Sequence, residues 1–151
     1  MRRTRSRVCG LVIAFVAAVA VVFGAAAPAS AGNLGSALYR GGVLWPSDYI
    51  ERTGSGGWTY WLIMQSDANL VLYKGYSDHS ATKVCWASNT NGYGWNATKA
   101  VYQNDGNLVI YTTISGLPIW GSNSVGDTGT TVDISYYGRL YVGYKQMSND
   151  C

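Results

Sequence analysis

The sequence predicts an all-β domain of three small antiparallel sheets about a pseudo-threefold axis. Three observations lead there. Beyond residue 31 the chain is made of short runs rich in Val, Ile, Leu, Tyr and Trp, separated by Gly, Asn, Asp and Ser clusters, and no stretch keeps helical periodicity for three turns. The string QSDANLVLY at residues 65–73 returns as QNDGNLVIY at residues 103–111. A third, worn copy can be laid over residues 131–144. Each unit alone would make a sheet too small to be stable, so the inner faces of the three must pack together.

The first 31 residues stand outside this pattern. Arg2, Arg3, Arg5 and Arg7 precede an uncharged apolar run over residues 8–24, and Ala29, Ser30 and Ala31 supply small side chains where a signal peptidase reads. That is the layout of a secretory signal peptide cleaved before Gly32. An uncleaved anchor is the competing reading, because about 20 apolar residues can span a bilayer. The Ala-rich tail, Pro28 and the A-x-A site favour cleavage. Cys9 does not follow a lipoprotein box. The expectation is a secreted, extracellular domain over residues 32–151, with no stable membrane insertion after cleavage.

Removing the signal changes the charge argument. The whole chain carries 11 Lys and Arg against 8 Asp and Glu, but four of the basic residues and none of the acidic ones lie in the signal. The remainder has a formal charge of −1, which withdraws electrostatic support for a nucleic-acid partner or an anionic membrane. Both Phe residues, Phe15 and Phe23, also fall in the signal, so every later aromatic is Trp or Tyr. Such rings suit half-wet surfaces, whether at the rim of a small core or against a sugar. Cys85 and Cys151 remain, and export permits a disulfide. An internal bridge, a dimer bridge and two free thiols are all open at this point.

Strands are expected at residues 58–65, 70–73, 99–103 and 108–113. The two motif copies are offset by 38 residues, whereas CWASN at 85–89 echoes IWGSN at 119–123 at an offset of 34. The difference falls before Trp86, where residues 75–82 read as a loop insertion. Trp86 and Trp120 sit at equivalent points and are expected at the axis as core residues. In the third copy Ser135, Tyr137 and Arg139 align with Gln103, Asp105 and Asn107.

Asp105 and Gly106 form a hairpin signal between two β-prone runs. The expected register sets Gln103 opposite Val109, with a loop of Asp105, Gly106 and a left-handed Asn107. Gln103, Val109 and Tyr111 then share one side of the sheet, and Leu108 and Ile110 turn to the core. In the first copy Gln65, Val71 and Tyr73 oppose Leu70 and Leu72. Two amides, a carboxylate and a phenol thus gather round a Val. Sugar hydroxyls donate and accept, as this set can answer, and Val can meet the C–H face of a ring. Turn chemistry alone accounts for Asp67, Asn69, Asp105 and Asn107. It does not account for Gln and Tyr recurring at the same distances.

The pattern Q-x-D-x-N-x-V-x-Y, matched at every fixed position twice, resembles the signature of the bulb-type (monocot or snowdrop-type) mannose-binding lectins. The run WASNT at residues 86–90 is also similar to that family. The resemblance covers roughly residues 34–144, most strongly 61–123. It implies a β-prism II fold of three four-stranded sheets, and binding of mannose or mannose-rich glycans without metal or other cofactor. By position, Asp67 and Asn69 would hold the axial 2-hydroxyl, Gln65 the 3-hydroxyl and Tyr73 the 4-hydroxyl, with Val71 on the ring carbons. Asp105, Asn107, Gln103, Tyr111 and Val109 would do the same in a second site. The third site has lost its polar set and is expected not to bind mannose. The disulfide of the plant members has no counterpart here. Cys85 precedes Trp86, and Cys151 falls near the place of a missing third Trp, so a Cys85–Cys151 bridge is expected.

Other functions fit less well. Glycoside hydrolysis needs two carboxylates about 5–10 Å apart across one bond, and the motif aspartates belong to separate repeats. His79, beside Asp78 in the inserted loop, reads as a surface residue, and one His with two Cys gives no metal-ligand cluster. No catalytic constellation is present, so the chain is not expected to be an enzyme. A lectin-like bacteriocin or a protein-interaction module on the same scaffold is the remaining alternative. Shallow single sites imply that avidity comes from two sites per chain or from a homodimer.

Overall fold

The computed structural model describes residues 32–93 and 98–151; the expected signal peptide, residues 1–31, lies outside them. Twelve strands are formed among the described residues: β1 (Ala37–Tyr39), β2 (Val43–Leu44), β3 (Tyr49–Thr53), β4 (Thr59–Met64), β5 (Leu70–Gly75), β6 (Ala81–Ala87), β7 (Thr98–Tyr102), β8 (Leu108–Thr112), β9 (Pro118–Gly121), β10 (Thr131–Ile134), β11 (Leu140–Val142) and β12 (Lys145–Gln146). The only helical turn among them is the 3-10 turn Ser55–Gly57. Each repeat folds as a three-stranded antiparallel meander. Its fourth strand comes from the N-terminal segment, giving the sheets β3-β4-β5-β6, β2-β7-β8-β9 and β1-β10-β11-β12.

Alternation along the strands builds the core. Successive partners in register form one inward row per sheet: Ile50, Leu62, Leu72 and Trp86 in the first, Leu44, Ala100, Ile110 and Trp120 in the second. In the third the row is Leu38, Val132, Val142 and Lys145. The aliphatic members of these rows are buried and belong to one core. Trp86 and Trp120 pack on that core and meet edge to face, their rings 5.6 Å apart, though both keep part of their surface in solvent. Lys145 takes the third tryptophan's place in register, and its Nζ donates to the carbonyls of Ser122 and Asn123 at 2.7 and 3.1 Å. Cys151 packs nearby and is bonded to Cys85, with Cα atoms 5.5 Å apart. The expected bridge is therefore intramolecular.

Two local readings are corrected. The insertion expected over residues 75–82 is a longer hairpin with a shorter loop: Gly75 ends β5 and Ala81 begins β6, and the β5–β6 ladder shifts register between Leu72 and Tyr73 and between Lys74 and Gly75. His79 is not a free surface residue. It is half-buried, wedged edge-on between the rings of Trp61 and Tyr49 at 5.0 and 4.9 Å, with Nε2 2.8 Å from Glu51.

Candidate functional site

The first two repeats turn in the same way. The Gln65 N–H donates to the Asn69 carbonyl at 2.9 Å and the Ala68 N–H to the Gln65 carbonyl at 3.2 Å; in the second repeat Gln103–Asn107 and Gly106–Gln103 bonds measure 2.8 and 3.1 Å. Asp67 Oδ1 accepts the Asn69 N–H and Asp105 Oδ1 the Asn107 N–H, each at 2.9 Å. These are Asx turns, in which a short carboxylate stands in for a backbone carbonyl.

The register differs from the expected one by two residues. Val109 faces Val101, not Gln103, and Val71 faces Ile63. The left-handed residue is Gly106 (φ +89°), or Ala68 (φ +79°) in the first repeat, rather than the Asn. A shift of two keeps every side chain on its expected side, so Gln103, Val109 and Tyr111 still share the outer face. A methyl at Gly106 would come within 2.7 Å of the Asp127 carbonyl, whereas the Ala68 methyl is buried in the core. That packing offsets the roughly 1–2 kcal/mol that a non-glycine residue loses in this conformation.

Asn107 is excluded from the left-handed position because its side chain is already held. Its Oδ1 accepts from the Ser122 hydroxyl at 2.9 Å and the Ser124 N–H at 3.2 Å. Ser122 Oγ also accepts the Leu108 N–H, and Ser124 Oγ donates to the Gly106 carbonyl. Ser88 and Thr90 repeat the arrangement round Asn69: Oδ1 accepts from the Ser88 hydroxyl at 3.1 Å and the Thr90 N–H at 3.2 Å. The consequence is chemical. With the amide oxygen occupied from behind, Nδ2 of each Asn is the group left to donate outward. The supporting residues Ser88, Thr90, Ser122 and Ser124 had no assigned role from sequence, although the recurrence of W-x-S was visible there.

At the other end of each site Gln65 Nε2 donates to the Tyr73 hydroxyl at 2.9 Å, and Gln103 Nε2 to the Tyr111 hydroxyl at 2.8 Å. The Tyr hydroxyl, its lone pair so engaged, keeps its own proton for another acceptor. Val71 and Val109 are buried between these polar groups, while Asp67 and Asp105 are exposed. All ten residues singled out from the motif thus gather as two sets of five. Each set offers a carboxylate acceptor, an amide donor, a Gln amide and a phenol around one aliphatic side chain.

The two sets differ in their surroundings. Tyr73 is stacked against Trp61 at 5.5 Å, and Trp61 in turn holds His79. Lys99 replaces Trp61 in the second sheet. It directs its ammonium to the Trp45 ring at 5.0 Å and leaves an opening of about 280 Å³ beside Tyr111. The third set is lost entirely. Tyr141 stands at the station of Val109 and Gly143 at that of Tyr111. Arg139, at the station of Asn107, spends its guanidinium on the Tyr141 hydroxyl at 3.1 Å and on Asp150 at 2.8 Å. Those partners, Tyr141 first, hold the guanidinium pKa above its ordinary value against the effect of burial. Among the described residues no cluster of His, Cys, Asp and Glu could hold a metal ion.

No family model matches the chain. It is 41% identical over 96 residues to the mannose-specific lectin of Aloe arborescens, a match covering 64% of this chain and 74% of that one. Among solved structures it resembles the mannose-specific bulb lectin of bluebell (Scilla campanulata), with TM-score 0.59, 28% identity and 70% and 88% of the two chains covered. It also resembles the snowdrop (Galanthus nivalis) agglutinin complexed with methyl-α-D-mannoside, with TM-score 0.55, 31% identity and 77% and 92% covered. The Polygonatum cyrtonema lectin complexed with monomannoside gives TM-score 0.57 and 31% identity over 70% and 86%.

Proposed function

Since this chain belongs to the bulb-type mannose-binding lectin family, with its β-prism II fold, we propose that it binds mannose and mannose-containing glycans through two sites of its own, one on the first sheet and one on the second. The relatives are lectins, and the domain is a lectin rather than an enzyme. The observation that carries the two-site reading is the orientation of Asn69 and Asn107. Each amide oxygen is held by a Ser hydroxyl and a backbone N–H. Each Nδ2, next to a carboxylate, then matches a hydroxyl that must accept and donate at once.

In this reading Asp67 with Asn69, and Asp105 with Asn107, take the axial 2-hydroxyl that separates mannose from glucose. Gln65 and Gln103 take the 3-hydroxyl, Tyr73 and Tyr111 the 4-hydroxyl, and the two Val side chains meet the ring. A sugar lacking the axial hydroxyl leaves the Asp–Asn pair unmatched, which is where selectivity arises. The third sheet is silent toward mannose because Tyr141 fills the Val station and Arg139 has no free amide to offer. The domain acts outside the cell, freed from residues 1–31.

A mannose column tests this. The purified protein is retained and elutes with methyl mannoside but not with methyl glucoside. Asn69→Ala combined with Asn107→Ala abolishes retention while the circular dichroism spectrum stays unchanged. Equal elution by both sugars, or retention of the double variant, sinks the reading.

A further inference from the structure

On the third sheet, what sits where the other two carry their motif is a bump beside a hollow. Tyr141 at the Val station raises the surface, and Gly143 at the Tyr station removes a ring. Below them an opening of about 300 Å³ is lined by Thr131, Asp133, Tyr141, Gly143 and Tyr144. That volume is at the lower end of small-ligand sites, which run from about 300 to 1,000 Å³.

The wall of this opening is fixed. Asp127 Oδ1 accepts the N–H of Gly129 at 2.7 Å and that of Tyr144 at 3.0 Å, and Arg40 holds the Gly129 carbonyl at 2.7 Å. The floor carries three kinds of polar group. Asp133 Oδ2 accepts the Thr131 hydroxyl at 2.7 Å, and Oδ1 has no partner among the described residues. The Tyr141 hydroxyl receives Arg139 and keeps its own proton to give. Two rings flank the floor: Tyr144 is 77% exposed, and Tyr39, directly across from Thr131 in register, is 67% exposed. Exposed rings beside a carboxylate and a phenol suit a ligand with C–H faces and vicinal hydroxyls. Asp133 is the one charged residue of the lining, which disfavours an anion, and one of its oxygens is already engaged by the Thr131 hydroxyl.

The geometry points to a third binding site on the protein, displaced along the sheet from the motif position, that takes a neutral non-mannose saccharide between Tyr39 and Tyr144 with Asp133 accepting its hydroxyls. This goes beyond the mannose reading and uses none of its ten residues.

The test is a glycan array of neutral, acidic and amino glycans, read with the Asn69→Ala/Asn107→Ala protein, in which the mannose sites are disabled. The expected result is binding to one or more neutral non-mannose glycans. Adding Asp133→Asn, which keeps the shape but turns an acceptor into a donor, weakens that binding roughly tenfold or more, as for loss of one charge-assisted hydrogen bond. Asp133→Asn alone leaves methyl mannoside affinity unchanged. The proposal is overturned if the double variant binds no neutral glycan, binds only acidic or amino glycans, or still binds after Asp133→Asn. Failure of the unmutated protein on a mannose column would sink only the previous reading, because the array is scored on a protein without mannose sites.

Discussion

Val109 and Tyr141 occupy the same station on the second and third sheets, each facing a residue of the preceding strand, Val101 and Asp133. The turns before them are alike: a Gly with positive φ, Gly106 or Gly138, and a backbone bond closing the loop at 2.8 Å. A serine hydroxyl even receives the Leu N–H in both, Ser122 for Leu108 and Ser148 for Leu140, at 2.9 Å each. What differs is where that hydroxyl then donates. Ser122 gives to Asn107 Oδ1 and so orients an amide, whereas Ser148 gives to the Asn149 carbonyl. The lesson is that the backbone frame of a repeat and the polar set it carries are separable. The serine belongs to the frame, and only the Asn joins it to that set.

The comparison can be tested where the two sheets depend on different supports. The third sheet ends in a two-residue strand and a tail tied to the first sheet by Cys85–Cys151, a covalent support the second sheet lacks. Cys85→Ser with Cys151→Ser should lower unfolding free energy by about 4 kcal/mol, the chain-entropy value for a loop of this length. Hydrogen exchange should rise in β11 and β12 before β8 and β9; a uniform rise would break the distinction. A smaller effect separates the two serines. Ser122→Ala and Ser148→Ala should each cost about 1–3 kcal/mol in denaturant unfolding, because each strands a buried N–H. Only Ser122→Ala should weaken methyl mannoside binding, measured by calorimetry. Equal loss of affinity in both would put the third sheet back among the mannose sites.

The smallest effect concerns acid. The Tyr144 and Gly129 N–H groups hold the Asp127 carboxyl below its ordinary pKa. A group lowered on folding contributes stability that is fully present above its unfolded-state value and is lost as pH falls through the folded one. Exchange of those two amides should therefore accelerate only below the ordinary carboxylate range.

Much of this was legible along the chain, for reasons that mark its limits. Alternation placed Leu70, Leu72, Leu108 and Ile110 inside, because a strand has only two sides. Recurrence placed the ten motif residues in two groups. The register departs from the expected one because Asn107 suits the left-handed place of its loop by residue type, while the hydroxyl that claims its amide oxygen comes from Ser122, just past β9. His79 was misread for the same cause: Trp61, Tyr49 and Glu51, which enclose it, belong to two other strands. Strands β1 and β2 had no local signal. They are three and two residues long, and β1 finds its partner in β10, in the last repeat.

Those short N-terminal strands also bear on how such a domain forms and changes. The segment running from β1 to β3 is synthesised before the three repeats, yet β1 cannot be satisfied until β10 exists. Native pairing therefore waits on almost the whole chain, a topology associated with slow folding. The three copies are not modules in the solenoid sense, where each unit needs only its neighbours. Every copy borrows an edge from one shared ribbon, and that ribbon has three strands to lend. A fourth copy added by gene duplication would stay three-stranded with an unpaired edge, a template for aggregation. The number of repeats is thus capped by a stretch of sequence that resembles none of them.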